Sequence, residues 1–292
     1  MERIKFIDMH VHPMTLKYYK AMKEERNDEL EKYLGYEKGL ILKKDIHQIV
    51  SEYTSDDQFY PEKIVLLGWN TGHTYGGIKF RNEELAQMVA IYPDKLIGFC
   101  QINPNEGIEE SIAELEYCIK ELKLSGLKLH PILQDFFPND KKMYPIYEAC
   151  VAMDIPITFH TGYEGLGTGI PGGDGIHLKY GNPIYIDDVA ADFPKLRICM
   201  AHPSWPWADI GIAVVQNKKN VFMDISGMRP RYFPDAIKKY LHIKSFVRKV
   251  MFGTDYPFFC VSQHINDLKF LRLKPEHINH ILYDNAFGFL RL

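Results

Sequence analysis

The chain has 292 residues, of which 46% are hydrophobic and 25% charged, a balance that suits a globular domain with a large core. A formal net charge of −3 with histidines neutral excludes the basic field that would hold nucleic acid. No apolar run approaches the roughly 18 residues of a membrane helix, and the N-terminus runs into a strand without a secretion-type apolar segment. Five cysteines, odd in number and without C-x-x-C spacing, read as small buried hydrophobes in a reducing, cytoplasmic compartment.

Short apolar runs alternate with amphipathic stretches from end to end. Strands are predicted over 3–12, 63–69, 96–102, 126–130, 155–160, 196–202, 221–226 and 249–255. Runs such as Ile64-Val65-Leu66-Leu67 are apolar on both faces, as in parallel strands covered on both sides. Helical periodicity falls over 82–91, 108–122, 143–153, 186–192, 208–216 and 234–242. The stretch 275–290 closes the chain, with Pro275 in its first turn. Strands alternating with helices of this length are βαβ units. Eight of them predict an α/β fold, a (β/α)8 TIM barrel forming a single domain over 1–292, with inserted βα loops. A doubly wound sheet is the rival, but it would not gather the ends of strands one, five, six and eight. The insertions are 15–34, charged and helical in pattern, which reads as a lid, and 161–182, which is rich in glycine. Long βα loops at a barrel rim are where substrates are selected, with a plain surface loop as the alternative for the second.

Four predicted strands end in possible metal donors: Asp8-Met9-His10-Val11-His12, Thr158-Phe159-His160, Ala201-His202 and Gly253-Thr254-Asp255. Side chains alternate along a strand, so Asp8, His10 and His12 are expected on one side, presenting two imidazoles to the barrel mouth. Imidazoles and a carboxylate from separate strands are what a catalytic divalent cation with an open position requires. Three neutral imidazoles and one carboxylate suit zinc better than magnesium or calcium, with manganese or iron as alternatives. The plainer reading is a pair of exposed histidines and some buried structural polar groups.

This ordered set resembles the amidohydrolase superfamily, and within it the branch that includes aminocarboxymuconate-semialdehyde decarboxylase. The likeness runs from Asp8 to Asn285 and includes the stretches from Tyr180 to Pro194 and from Ala201 to Trp207. It implies His10, His12, His160 and Asp255 as ligands of one zinc, and His202 as the histidine that meets substrate or the activated water. Asp255 would also relay a proton. The implied activity is a metal-dependent hydrolase that directs a metal-activated water at a carbonyl. The bond would be an ester, lactone, amide or β-keto bond of a small carboxylated or aromatic compound. The alternative is a non-oxidative decarboxylase of the same family.

Asp8 is expected to orient a ligand imidazole or to be a structural carboxylate. Lys128 and His130 share a strand face. Binuclear relatives carboxylate a lysine on this strand to bridge two metals, which leaves a bridged pair at Lys128 as the alternative to one metal; otherwise Lys128 or His130 would bind a substrate anion, or Lys128 would be neutralised by interior carboxylates. Trp69 with Asn70, Arg229 with Arg231, and Trp205 with Trp207 are further substrate-binding candidates, an arginine clamping a carboxylate. His73 and His177 lie in loops. The expected partner is a small molecule, with no nucleic acid or membrane and with a homodimer left open. A non-enzymatic binding protein on an enzyme fold is the rival of another class, but every expected ligand position is occupied.

Overall fold

The computed structural model describes residues 3–13, 28–29, 31–32, 45–72, 74 and 77–292. The expected lid at 15–34 lies almost wholly outside these residues, and His73 lies outside them. Eight parallel strands form one sheet in sequence order. They are β1 (Ile4–Val11), β2 (Phe59–Leu67), β3 (Leu96–Gln101), β4 (Gly126–Leu129), β5 (Ile157–His160), β6 (Ile198–Ala201), β7 (Val221–Asp224) and β8 (Val250–Met251). The sheet curls round until its ends meet: Met9 N donates to Phe252 O at 3.0 Å, and Asp255 N donates to His10 O at 2.9 Å. The expected (β/α)8 barrel is the observed fold.

Helices fill the crossovers: α1 (Ile46–Thr54), α2 (Asn82–Ile91), α3 (Ile108–Lys120), α4 (Tyr144–Ala152), α5 (Ile184–Asp192), α6 (Ala208–Asn217), α7 (Asp235–Tyr240), α8 (Lys244–Val247) and α9 (Val261–Phe270). The closing stretch is α10 (Pro275–Asn279), a π-helical turn at His280–Asp284, and α11 (Asn285–Leu290). Among the described residues no helix is long and apolar enough to cross a membrane. Helix α1 starts at a capping box in which Asp45 and Gln48 satisfy each other's backbone N–H groups.

Three boundaries differ from the sequence reading. β2 begins at Phe59, because Phe59, Tyr60 and Pro61 already pair with Ile4, Lys5 and Phe6, and it ends before Trp69. β8 is only two residues long. From Phe252 onward the backbone bonds to Ile281 and to β1 instead of extending the ladder with β7. The stretch 234–242 gives only the six-residue α7.

Two apolar layers enclose the strands. Ile7, Met9, Val65, Leu67, Ile97, Phe99, Cys199 and Met251 pack with Phe289 of α11, filling the barrel interior. Phe6, Ile64, Leu66, Leu127, Leu129, Phe159 and Met200 point the other way, into the layer shared with the helices. On β1 this alternation breaks. Met9 belongs to the interior, while Asp8 meets Tyr53 of α1. The β1–β2 register shifts between Asp8 and Val11, and that irregularity turns His10 into the mouth immediately after Met9. Asp8 and His10 therefore do not share a face, which corrects the expectation drawn from strict alternation.

Candidate metal centre

At the strand C-termini the donor atoms of His10, His12 and Asp255 lie within 4.8 Å of one another. His10 Nε2 is 3.2 Å from His12 Nε2. Asp255 Oδ1 is 3.5 Å from the first nitrogen and 3.2 Å from the second. The remaining ring nitrogens decide the protonation. His12 Nδ1 lies 2.9 Å from the Leu67 carbonyl, which only accepts, so this nitrogen carries the proton. His10 Nδ1 lies 3.1 Å from Asp224 Oδ2 and donates to it. Both Nε2 atoms are thus lone pairs aimed at each other and at a carboxylate oxygen. The Trp69 indole, 3.1 Å from His12 Nε2, supplies one N–H to this group.

His160 and His202 extend the pattern. His160 Nε2 lies 3.2 Å from the Tyr163 carbonyl and donates there, which leaves Nδ1 as an acceptor. That nitrogen is 3.1 Å from His202 Nε2. His202 Nδ1 is 2.9 Å from Ser226 Oγ, whose hydroxyl is donated to Asp224. The acceptors of His10, His12 and Asp255 therefore meet with too few protons between them, and His160 Nδ1 with His202 Nε2 forms a second such pair. A cation resolves that excess, so the donor set fits a divalent metal.

The electrostatics agree. Burial, reinforced by Lys128, pushes His10 down to about 3, against the pull of Asp224. Burial with neighbouring His130 and His202 holds His160 well below its usual range. These rings are neutral at pH 7. Burial alone would raise Asp255, but the neighbouring His12, His10 and His202 hold it below the ordinary carboxylate range. It stays ionised.

Asp224, absent from the sequence candidates, orients the His10 imidazole. Asp8, which was expected to do so, touches none. Its Oδ1 accepts from His10 N and Thr254 N, each at 3.0 Å. Its Oδ2 accepts from the Thr254 hydroxyl at 2.7 Å and the Tyr53 hydroxyl at 2.8 Å. Asp8 thereby braces the segment that delivers Asp255. The delivering residues carry unusual backbones: φ is +73° at His202, +55° at Ser204 and +65° at Asp255, a region that costs an L-residue about 1–2 kcal/mol. Gly227, at φ +72°, packs so closely that a Cβ would overlap the His202 ring.

The mouth opens into a cavity of about 500 Å³. Polar groups of Lys128, His130, Glu164, His202 and Asp255 line it together with Trp69, Tyr163, Leu166, Trp205, Met228, Tyr232, Phe258 and Phe259. Trp69, Lys128, His130 and Trp205 are thus placed there as expected. Lys128 is only 2% exposed. Its Nζ has no hydrogen-bond partner among the described residues, so it is not neutralised by a direct carboxylate contact. Burial lowers its pKa, against the attraction of Asp224 and Asp255.

Arg229 does not fit the expected role. Its Nε and Nη2 bind the two oxygens of Asp267 at 2.9 and 3.1 Å, and Arg231 binds the same carboxylate at 2.8 Å. Asp267 is 1% exposed, and a buried carboxylate of this kind requires a cationic partner. Arg229 is therefore engaged in that pair and is not free to clamp a substrate. His177 is exposed and 3.8 Å from Asp135, outside the cavity lining. Trp207 caps the start of α6. Beside Asp224, the residues that sequence reasoning missed are Ser226, Tyr163 and Glu164. Asp224 ends an apolar strand just as the recognised donors do, which was its only signal.

A parallel barrel with histidines and an aspartate meeting at its C-terminal rim defines the class of (β/α)8 barrels that carry a candidate metal site beside a rim cavity. The particular family follows from comparison: residues 7–292 match the amidohydrolase family, and the chain belongs to it. The chain is 31% identical over 143 residues, 41% of its length, to 2-keto-4-carboxy-3-hexenedioate hydratase of Sphingobium sp.. It is 25% identical over 207 residues, 62% of its length, to 2-amino-3-carboxymuconate-6-semialdehyde decarboxylase of Dictyostelium discoideum. These matches span 38% and 56% of the two relatives. An uncharacterised TIM-barrel protein from Bordetella bronchiseptica shares the fold with a TM-score of 0.75 at 23% identity, over 99% of both chains.

Proposed function

We propose that the protein is a metal-dependent hydrolase of a small carbonyl compound. The observation that carries the reading is the proton-poor convergence of His10 Nε2, His12 Nε2 and Asp255 Oδ1, with the outer nitrogen of each imidazole already donated. His10, His12, His160 and Asp255 would hold the cation, with zinc the best match to the donors. Bound there, a divalent cation supplies Lewis acidity and lowers the pKa of water.

The chain's own residues supply the remainder. Asp255, ionised and at the cavity floor, accepts the proton released as water oxygen bonds to the carbonyl carbon. It returns that proton to the leaving group as the old bond breaks. His202, fixed at Nδ1 by Ser226, presents Nε2 to the same reaction space. The aromatic wall excludes water and orients an apolar or aromatic portion of the substrate.

A second reading, non-oxidative decarboxylation, is favoured by the match to the Dictyostelium decarboxylase. The engagement of Arg229 by Asp267 weighs against it, because that arginine was the candidate anchor for a departing carboxylate. A screen of β-keto acids, lactones and aromatic carboxylates with zinc and manganese supplied separately tests the proposal. Uptake of labelled oxygen from water into product is expected. Carbon dioxide release without that uptake would establish the second reading, and a folded protein that binds no stoichiometric metal would overturn both.

A further inference from the structure

Glu164 comes from the glycine-rich loop after β5 and is 7% exposed inside the cavity wall. Its Oε1 accepts from Leu166 N at 2.8 Å, which fixes the carboxylate within its own turn. Its Oε2 lies 2.9 Å from His130 Nε2 and 3.6 Å from His160 Nε2. The two imidazoles stack with centroids 4.0 Å apart and planes 19° from parallel. His130 Nδ1 accepts from Leu133 N at 3.3 Å, so its proton sits on Nε2, the nitrogen nearest Glu164. His160 likewise carries its proton on Nε2, shared with the Tyr163 carbonyl.

That oxygen makes no hydrogen bond among the described residues, so it acts on the two nearby imidazoles as a buried charge. One ring belongs to a candidate metal ligand and the other to the substrate cavity. These donor atoms also lie within 4.8 Å of one another, close enough for a second cation. However, both Nε2 atoms carry protons in this arrangement and offer no lone pair to a cation there.

The placement of the loop gives this contact a consequence. Tyr163, Glu164, Gly165 and Leu166 all line the cavity, and the Tyr163 ring packs edge-on against Trp205 with centroids 5.3 Å apart. The segment that holds His160 from behind is therefore the segment a substrate would press against.

Resting on the metal reading above, we propose that Glu164 is a positioning residue. It sets the orientation of His160 toward the cation and ties that orientation to the substrate-facing loop. Occupation of the cavity and affinity for the cation are then coupled, each strengthening the other by the same factor.

The test titrates the metal-free full-length protein with zinc against a competing chelator and records the absorption spectrum of the cobalt form, for wild type and Glu164→Gln. Glutamine keeps the size of the side chain but loses the charge beside both imidazoles. Affinity is expected to fall about 10–100-fold, with a changed cobalt spectrum and unchanged circular dichroism. Wild-type affinity with an identical spectrum in the variant would overturn the proposal. A wild-type stoichiometry of two that drops to one would also overturn it, assigning the cluster to a second cation. Wild-type protein that binds no metal would instead remove the metal reading itself. Should Glu164→Gln not fold, Glu164→Asp, which withdraws the charge from His160, is expected to show the same loss in weaker form. If neither variant folds, the carboxylate is structural and the proposal fails.

Discussion

Asp224→Asn gives the sharpest test of the cation site and requires no substrate. Asp224 Oδ1 accepts from Ser226 N at 3.0 Å, from His202 N at 3.3 Å and from the Ser226 hydroxyl. An asparagine oxygen must stay at that position to keep three donors satisfied. The amide NH2 then replaces Oδ2, 3.1 Å from His10 Nδ1. Two donors cannot face each other, so the His10 proton moves to Nε2, the nitrogen aimed at His12 and Asp255. A ligand lone pair is replaced by an N–H, and a charge-assisted hydrogen bond worth about 1.5–3 kcal/mol is lost. That corresponds to roughly 10–100-fold in metal affinity. Chelator-competition titration of the metal-free protein with zinc and with manganese measures it, with thermal unfolding as the control for folding. Affinity within twofold of wild type, in a normally folded variant, would refute both the tautomer assignment and the cation site built on it.

Asp255→Asn should keep the fold, weaken the metal and lower turnover at least ~100-fold, and near-normal turnover on any substrate found would contradict the proton-relay role. His202→Ala should retain metal while losing turnover, whereas loss of metal would enlarge the ligand set. Asp8→Ala strands the buried Thr254 N and His10 N, while the Tyr53 hydroxyl keeps Thr254 Oγ1 at 3.1 Å. At about 1 kcal/mol or more for each unsatisfied group, urea unfolding should show at least ~2 kcal/mol of destabilisation, and a loss under ~1 kcal/mol would remove the bracing role. His264 is buried against Phe252 and Phe259, and burial lowers it to about 4. The unfolded chain binds this proton near pH 6.5 and the folded one only near 4, so stability falls as pH drops through that window, by about 3 kcal/mol. His264→Phe should flatten that acid limb of the stability profile, and an unchanged limb would assign it to other groups.

Chain-local signals made the fold and the identity of the rim donors legible. Apolar runs marked the strands, and the residue at the end of each run was readable without contacts. Contacts between distant segments were not. Alternation placed Asp8 beside His10, but the register shift after Asp8 depends on how β1 lies against β2 and has no mark in the sequence. Arg229 read as a free cation because Asp267 lies 38 residues away on a different element. Glu164 was hidden in a glycine-rich loop whose course is set by what it packs on. The π-helical turn at His280–Asp284 escaped because the apolar pattern through 275–290 reads as one continuous helix.

The rim tolerates strained residues because polar bonds take over where the ladder stops. His202, Ser204 and Asp255 together cost about 3–6 kcal/mol of backbone strain, and each lies where a strand ladder has just ended. Polar bonds outside the barrel interior take over from the ladder at these points. Thr254 is held by Asp8 through backbone and hydroxyl, and the Ser204 hydroxyl meets Thr161 Oγ1 at 2.9 Å. Asp255 N reaches back to His10 O at 2.9 Å. Four hydrogen bonds into Asp8, at about 1 kcal/mol each, are of the size needed to hold the Asp255 segment in place. On this account the aspartate that opens the D-x-H-x-H motif acts on the far end of the chain: it stabilises the backbone that carries Asp255, while Asp224 orients the neighbouring His10.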